Sequence, residues 1–321
     1  MVEGHFIGVD VGGTKVAAVT LESGKERDEP SLAPTETSST ERLLDQLAAI
    51  IEDHRTPETK AVGIGVPSVV EFKTGRIRFS VNIPLADVPV REILSERLGL
   101  PVFVENDGSC AALAEAYDGA ECVSPDLVMF TVGTGVGGGI IIGGKLFRGV
   151  TGAAPEIGHM VIGLDLADEI PAPEGAPPRP GSLEALAAGT ELDRLAMRFA
   201  REMPGSELAR QLRTRGRLIG RDAVEAAQAG DEAGLRALRL LGGRLGVGIA
   251  SAINIFDPGE VVIGGGVSAA GELLLAPARE VAPRFVLPGV GTETRIRLAR
   301  RGVEAGVVGA AMVAVQEYDG G

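Results

Sequence analysis

Pro101-Val102-Phe103-Val104-Glu105-Asn106-Asp107 is the stretch whose reading decides the fold. Four apolar or ring-constrained residues run into three polar ones, the pattern of a strand that crosses a buried sheet and ends at its edge. Gly108-Ser109-Cys110-Ala111-Ala112-Leu113-Ala114-Glu115 follows, a small-residue run that favours helix. A strand passing into a helix is the unit of an open α/β sheet, where ligands bind outside the carboxyl ends of strands. Asn106 and Asp107 stand at such an end. Taken alone, Asp107 reads as a helix cap, its carboxylate accepting N–H groups of the first turn, or as a catalytic acid. The flanking sequence tips the balance toward chemistry.

Upstream, Phe6 to Asp10 reads as a buried strand, Val11-Gly12-Gly13-Thr14 as a glycine turn, and Lys15 to Leu21 as the returning strand of a hairpin. Gly24 to Thr37 reads as a polar loop. A capping-box pattern, Ser38-Ser39-Thr40-Glu41, then opens a helix carrying Leu43, Leu47, Ile50 and Ile51. Ala61 to Val66 is a further buried strand, Phe72 to Ser80 an exposed hairpin, and Val90 to Leu98 a helix stopped by Gly99. Downstream, Leu127 to Val132, the glycine turn 133–139 and Ile140-Ile141-Ile142 repeat the opening hairpin with a longer turn. Residues 163–182 break the pattern, with five prolines between Pro171 and Pro180. Helices are then expected over 183–203, 222–230, 231–256, 273–282 and 303–316, with strands at 260–263 and 294–298. Gly242, Gly243, Gly246 and Gly248 weaken the long helix by about 1 kcal/mol each, which is tolerable where another backbone packs closely.

The chain has 321 residues, a 45% hydrophobic and 3% aromatic composition, and a formal charge of −13. That length suggests about two domains. The acidic balance opposes nucleic acid and anionic membrane as partners. Two cysteines, Cys110 and Cys122, form no CxxC pair and fit a reduced compartment. With no signal-peptide pattern and no uninterrupted apolar run of membrane-spanning length, the expectation is a soluble cytoplasmic protein.

Gly133, Gly135 and Gly138 satisfy GxGxxG, but isoleucines follow where a dinucleotide-binding fold needs a helix. Gly139 to Lys145 imitates a Walker A loop, yet Leu146 stands where Ser or Thr would hold magnesium. Neither motif applies. A glycine- and threonine-rich hairpin turn still offers uncovered N–H groups and a hydroxyl to phosphate. Two such turns, carrying Thr14 and Thr134, with Asp10 and Asp107 beside them, favour a polyphosphate grip over two plain hairpins.

Asp10-Val11-Gly12-Gly13-Thr14-Lys15, Val104-Glu105-Asn106-Asp107, Gly133 to Gly139, Glu156-Ile157-Gly158-His159 and Val262-Ile263-Gly264-Gly265-Gly266 together resemble the motifs of the ROK sugar kinases, in family order. Asn254 to Pro258 and Ala305 to Ala311 resemble the C-terminal segments of its bacterial glucokinases. The resemblance implies an α/β, actin-like (ribonuclease H-like) ATPase fold with two lobes around a central cleft. The expected division is a small lobe over 1–107, with a C-terminal helix at about 303–318 packing back on it, and a large lobe over 108–302 with dimer-type helices. The implied activity is transfer of the γ-phosphoryl group of ATP to the 6-hydroxyl of glucose or a related hexose. An N-acylhexosamine kinase, a polyphosphate-dependent glucokinase and a non-catalytic sugar-sensing regulator remain open.

Position by position, the resemblance makes Asp107 the general base for the sugar hydroxyl. It implies phosphate cradling by Gly12, Gly13, Thr14, Lys15, Gly133, Thr134, Gly135 and Gly137, with Asp10 near Mg2+ through water. Gly264, Gly265 and Gly266 would approach the adenosine. Asn106, Glu156 and His159 would bind sugar hydroxyls, joined by Ser68, Asn82 and Glu184. A homodimer or homotetramer is implied as well. One departure stands out. Most of the family joins this histidine to three cysteines in a zinc site, whereas residues 163–184 contain no cysteine and place Ser182 where the last would be. A zinc-independent protein is therefore expected.

Overall fold

A computed structural model describes residues 3–22, 24–27, 29–80, 82–164 and 177–319. The chain forms two compact units. The first comprises residues 1–127, 139–155 and 300–321, and the second residues 128–138 and 156–299.

In the first unit, strands His5–Val11 and Lys15–Glu22 pair antiparallel around the Gly12–Thr14 turn. Thr59–Val66 adds in parallel to His5–Val11, and Val102–Asn106 in parallel to Thr59–Val66. Helices Thr40–His54 and Val90–Leu98 cover one face, burying Leu43, Leu47, Ile51, Leu94 and Leu98 against Ile7, Val62, Ile64 and Val104. The other face receives the C-terminal helix Ala305–Asp319, which packs on the His5–Val11 and Thr59–Val66 strands and on helix Asp107–Ala116. This approach is backbone on backbone. A Cβ on Gly63 would lie 1.8 Å from the Ala310 carbonyl oxygen, and one on Gly8 2.2 Å from that of Val307.

Four details differ from the sequence reading here. Ser31–Pro34, inside the expected loop, is an edge strand pairing with Lys15–Ala18; its Leu32 is largely exposed, so it carries no burial pattern. Ser39, not Ser38, caps its helix, accepting the Arg42 N–H, and Arg42 occupies the position where a capping box needs Glu or Gln. The hairpin expected over 72–80 pairs Ser68–Glu71 with Arg76–Ser80, so it begins earlier; Phe79 is exposed as expected, but Val70 and Ile77 are buried. Gly137, Gly138 and Gly139 belong to the strand Val136–Ile142, leaving Gly133–Gly135 as the turn.

In the second unit, Glu260–Gly264 neighbours Leu127–Val132 and pairs in parallel with Arg295–Leu298. Helix Glu232–Phe256 is long and apolar enough to cross a membrane, yet helices Leu183–Ala187, Gly189–Glu202, Gly220–Gln228 and Glu272–Val281 pack around it. Its glycines serve that packing: a Cβ on Gly242 or Gly246 would meet the carbonyl of Leu274 or Ala278 at 2.4 or 2.7 Å. The expected helix over 183–203 is broken at Ala188, whose extended backbone separates two helices. Glu207–Arg215, capped by Ser206, is a further helix absent from the sequence reading; its charge-rich sequence buries only Leu208 and Ala209. Most of the proline-rich stretch, 165–176, lies outside the described residues.

If the close helix–sheet approach sustains the first unit, Gly63→Ala should cost about 1–3 kcal/mol, the usual range for overpacking. Gly205→Ala, where an added Cβ meets nothing within 4 Å, should change stability little. Urea melts of both variants compare them directly, and equal midpoints would remove the claim.

Candidate active site

Parallel pairing sets the strand ends of the first unit side by side. Asp10 pairs with Gly65, Gly65 with Glu105, and Val66 with Asn106. Asp10 is shut in by missing side chains: a Cβ on Gly306 would come within 2.7 Å of its Oδ2, and one on Gly65 within 3.6 Å of its Oδ1. Burial, then the negative charge of Asp107, pushes the Asp10 carboxyl up from its ordinary 3.8 to about 7, with Lys15 pulling the other way.

Capping of the next helix falls to Asn106. Its Oδ1 accepts the N–H groups of Gly108 (2.9 Å) and Ser109 (3.3 Å), and its Nδ2 donates to the Ser68 carbonyl at 3.3 Å. Asp107, the first helical residue, accepts the adjacent Gly108 N–H through Oδ1, at 2.8 Å. The main capping role thus passes to its neighbour, and the charge of Asp107 acts on the Asp10 carboxyl. Behind them, Glu105 is buried (1% exposed); its Oε1 accepts the Asn106 N–H at 2.8 Å and its Oε2 the Arg148 Nε–H at 2.6 Å. Burial pushes the Glu105 carboxyl up, and Arg148 opposes the shift.

The first glycine turn is braced. Gly12 N–H donates to the Lys15 carbonyl at 2.9 Å, and Thr35 Oγ1 donates to the Gly12 carbonyl at 2.7 Å. A Cβ on Gly13 would lie 3.1 Å from that of Asn82, so this turn and Asn82 are neighbours. Thr14 and Lys15 are exposed. Asp10, Gly12 and Lys15 share a cavity of about 350 Å3 with Glu29 and Glu304. Ser68 Oγ is buried and has no hydrogen-bond partner among the described residues, an unmet donor that a polar ligand or water would satisfy.

In the second unit, the Gly133–Gly135 turn closes with Gly133 N–H donating to the Gly135 carbonyl at 2.9 Å, while Gly189 N–H holds the Gly133 carbonyl at 2.7 Å. Glu184 Oε2 accepts the Val136 N–H at 2.8 Å, and a Cβ on Gly135 would sit 2.3 Å from that oxygen. The short helical turn Ile157–His159 rests on the same hairpin, for a Cβ on Gly158 would lie 1.9 Å from the Val136 carbonyl. Glu156 and His159 approach to 3.9 Å. Burial raises the Glu156 carboxyl first, His159 lowers it and Glu184 raises it, so these three groups sense one another. Ser182 is fully buried, pairs with Val161, and caps the Glu184 helix by accepting the Ala185 N–H. Gly265, at φ +82°, lies against the Val132 backbone, and Gly264 against Met129. Thr134 and Gly266 are exposed.

The first unit therefore gathers Asp10, Gly12, Gly13, Thr14, Lys15, Ser68, Asn82, Asn106 and Asp107. The second gathers Gly133, Thr134, Gly135, Glu156, His159 and Glu184. Gly137 stands apart from the turn, within its strand. The sequence reading missed Glu105 and Arg148 as supports; Glu105 was visible as an acid ending an apolar strand, but its partner lies 43 residues away. Two carboxyl groups that repel each other, as Asp10 and Asp107 do, are a donor set that suits a divalent cation.

A family model described as ROK family matches residues 6–317. A glucokinase of Halalkalibacterium halodurans is 35% identical, over 97% of this chain and 95% of the relative. The crystal structure of a ROK family glucokinase from Streptomyces griseus, in complex with glucose and AMPPNP, is 34% identical with a TM-score of 0.77. That match covers 98% of this chain and 100% of the other. The ROK hexokinase of Thermus thermophilus, also 34% identical, gives 0.78 over 99% and 100%.

Asp10 yields a signed prediction. A carboxyl raised on folding contributes stability that is whole below its ordinary 3.8 and is lost as pH rises through about 7. A shift of that size corresponds to roughly 4 kcal/mol. Asp10→Asn, melted without divalent cations, should gain stability over the native protein at pH 8 and gain little at pH 4. The same difference at both values would mean that Asp10 is ionised in the fold throughout.

Proposed function

Since this chain belongs to the ROK family and shares its actin-like ATPase fold, we propose that it is an ATP-dependent glucokinase, transferring the γ-phosphoryl group to the 6-hydroxyl of glucose or a related hexose. The observation that carries the reading is the division of labour at the strand end, where Asn106 takes the main capping bonds and the Asp107 charge acts on Asp10. Full-length relatives named glucokinase at 35% identity support the same substrate.

Asp107 is assigned as the general base, taking the proton of the hydroxyl that attacks phosphorus. Asn106, Glu156, His159 and Glu184 are assigned to the sugar, with Ser68 and Asn82 beside them. The Gly12–Lys15 and Gly133–Gly135 turns are assigned to the phosphates, and Gly264–Gly266 to the adenosine. Asp10 would hold Mg2+, which when bound neutralises phosphate charge. The cavity bearing Asp10 supports a cation-chelated nucleotide over bare polyphosphate, because Glu29 and Glu304 oppose Lys15 there. The enzyme is assigned to the cytoplasm, as a homodimer or homotetramer, with neither nucleic acid nor membrane as a partner.

Asp107→Asn should lower kcat by about 10²–10⁴ while leaving glucose affinity within a few fold, as loss of a positioned base does. Coupled assays and calorimetry read the two quantities, and a fall under about tenfold would place the base elsewhere. A panel of hexoses, N-acylhexosamines, ATP and polyphosphate in the same assay tests the substrate.

Zinc independence is the second consequence. Activity should survive a strong chelator once magnesium is restored, and purified protein should carry no stoichiometric zinc. Recovery that requires added zinc would overturn it.

A further inference from the structure

A cavity of about 620 Å3 in the first unit takes no part in the reaction assigned above. Lys145, Arg148, Gln316 and Glu317 supply its polar walls, and Met312 and Val315 its apolar ones. The shape is preformed. Tyr117 Oη donates to the Gly144 carbonyl at 2.9 Å, and Gln316 Nε2 donates to both Tyr117 Oη and that carbonyl at 3.0 Å. A site built before its ligand arrives loses little affinity to ordering.

Its charge is cationic in a chain of net −13. The carboxylate of Glu317 is engaged by Arg148 Nη1 at 3.0 Å. Lys145 is exposed and has no hydrogen-bond or ion-pair partner among the described residues. Arg148 Nη2 is buried without a hydrogen-bond partner while the guanidinium stacks 3.6 Å over Phe72. Lys145 and Arg148 line one cavity, where two cationic side chains suit a phosphate, and the Met312–Val315 wall suits a short carbon skeleton attached to it.

Arg148 also leads to the catalytic carboxylate. Its Nε binds Glu105 Oε2, Glu105 Oε1 accepts the Asn106 N–H, and Asn106 caps the helix that begins at Asp107. An anion at Lys145 competes with Glu105 and Glu317 for one guanidinium. Glu105 is buried, so any weakening of that bond leaves its charge poorly compensated and shifts the strand end. Small displacements of a reacting group are costly in rate.

We propose that this cavity is an effector site for a small organic phosphate monoester, held by Lys145 and Arg148, whose binding lowers turnover through Arg148, Glu105 and Asn106. The kinetic half rests on the kinase reading, whereas the binding half stands without it. Calorimetry on the full chain, with glucose and a non-hydrolysable ATP analogue in excess, keeps the substrate sites filled. Glycerol 3-phosphate, hexose 6-phosphate and inorganic phosphate are the probes.

One equivalent of an ester should bind the native protein. Lys145→Ala should weaken binding about tenfold or more, as loss of a charged hydrogen bond does, and Lys145→Arg should restore most of it. In assays the ester should lower kcat with the KM for glucose unchanged, and Lys145→Ala should keep the basal rate and lose the inhibition. No binding with substrates present, or equal binding to Lys145→Ala, overturns the site. Inorganic phosphate binding as tightly as the esters overturns the ester assignment, and binding with kcat unchanged overturns the coupling. Absence of kinase activity on every sugar would sink the functional reading alone, since the calorimetric result would remain.

Discussion

The fit of the C-terminal helix against the glycines of two parallel strands is the constraint from which the first unit's chemistry follows. Gly8 and Gly63 let helical carbonyls come to the sheet, and Gly309 lets the same helix meet the Cys110 carbonyl, where a Cβ would stand at 1.7 Å. Tight approach removes water from the strand ends. Asp10, flanked by Gly65 and Gly306 and only partly exposed, loses much of its hydration, and its charge becomes expensive. A cost of that kind is useful where a cation must be drawn to one place. The packing that stabilises the fold therefore also creates the demand for positive charge beside Asp107.

A second economy lies in the strand Val102–Asn106. Its last three polar residues, counting Asp107, take three different jobs. Glu105 anchors backward to Arg148, Asn106 satisfies the first N–H groups of the helix, and Asp107 is the residue proposed as the base. Asp107 shares the Gly108 N–H with Asn106, and taking the Ser109 donor as well would stabilise its carboxylate further and make the proposed base a poorer one. Separation of capping from catalysis requires two adjacent residues, and asparagine suits the first because its amide caps without adding charge.

Much of this was legible in the sequence where a local rule governed it. The strand into Asp107, the Gly12–Thr14 turn and the helix stopped by Gly99 each follow from residues within one turn of each other. Gly242 and Gly246 announced a close neighbour, although not which one. Legibility failed where partners are distant or burial is weak. Ser31–Pro34 pairs as an edge strand with an exposed Leu32, and Glu207–Arg215 buries two residues, so neither writes a periodic pattern. The Arg148 partner of Glu105 and the Asn106 cap that relieves Asp107 depend on tertiary placement and rotamer, which spacing does not encode.

Ser182 explains how a chain without the zinc cysteines can still deliver Glu184. Its hydroxyl caps the helix that carries Glu184, its backbone bridges Val161, and Leu183 N–H donates to the Met160 carbonyl at 2.8 Å. Backbone pairing thus ties the Glu184 helix to the Glu156–His159 segment without a metal. The carboxylate delivered this way has a second duty, for it accepts the Val136 N–H and occupies the space a side chain on residue 135 would need. A carboxylate has about four acceptor positions, so it can hold the hairpin and a sugar hydroxyl together. Glycine at 135 and glutamate at 184 then become one choice: enlarging the first displaces the second, and shortening the second releases the turn assigned to phosphate. Under the proposed assignments, sugar recognition and phosphate geometry in the second unit would not be altered independently.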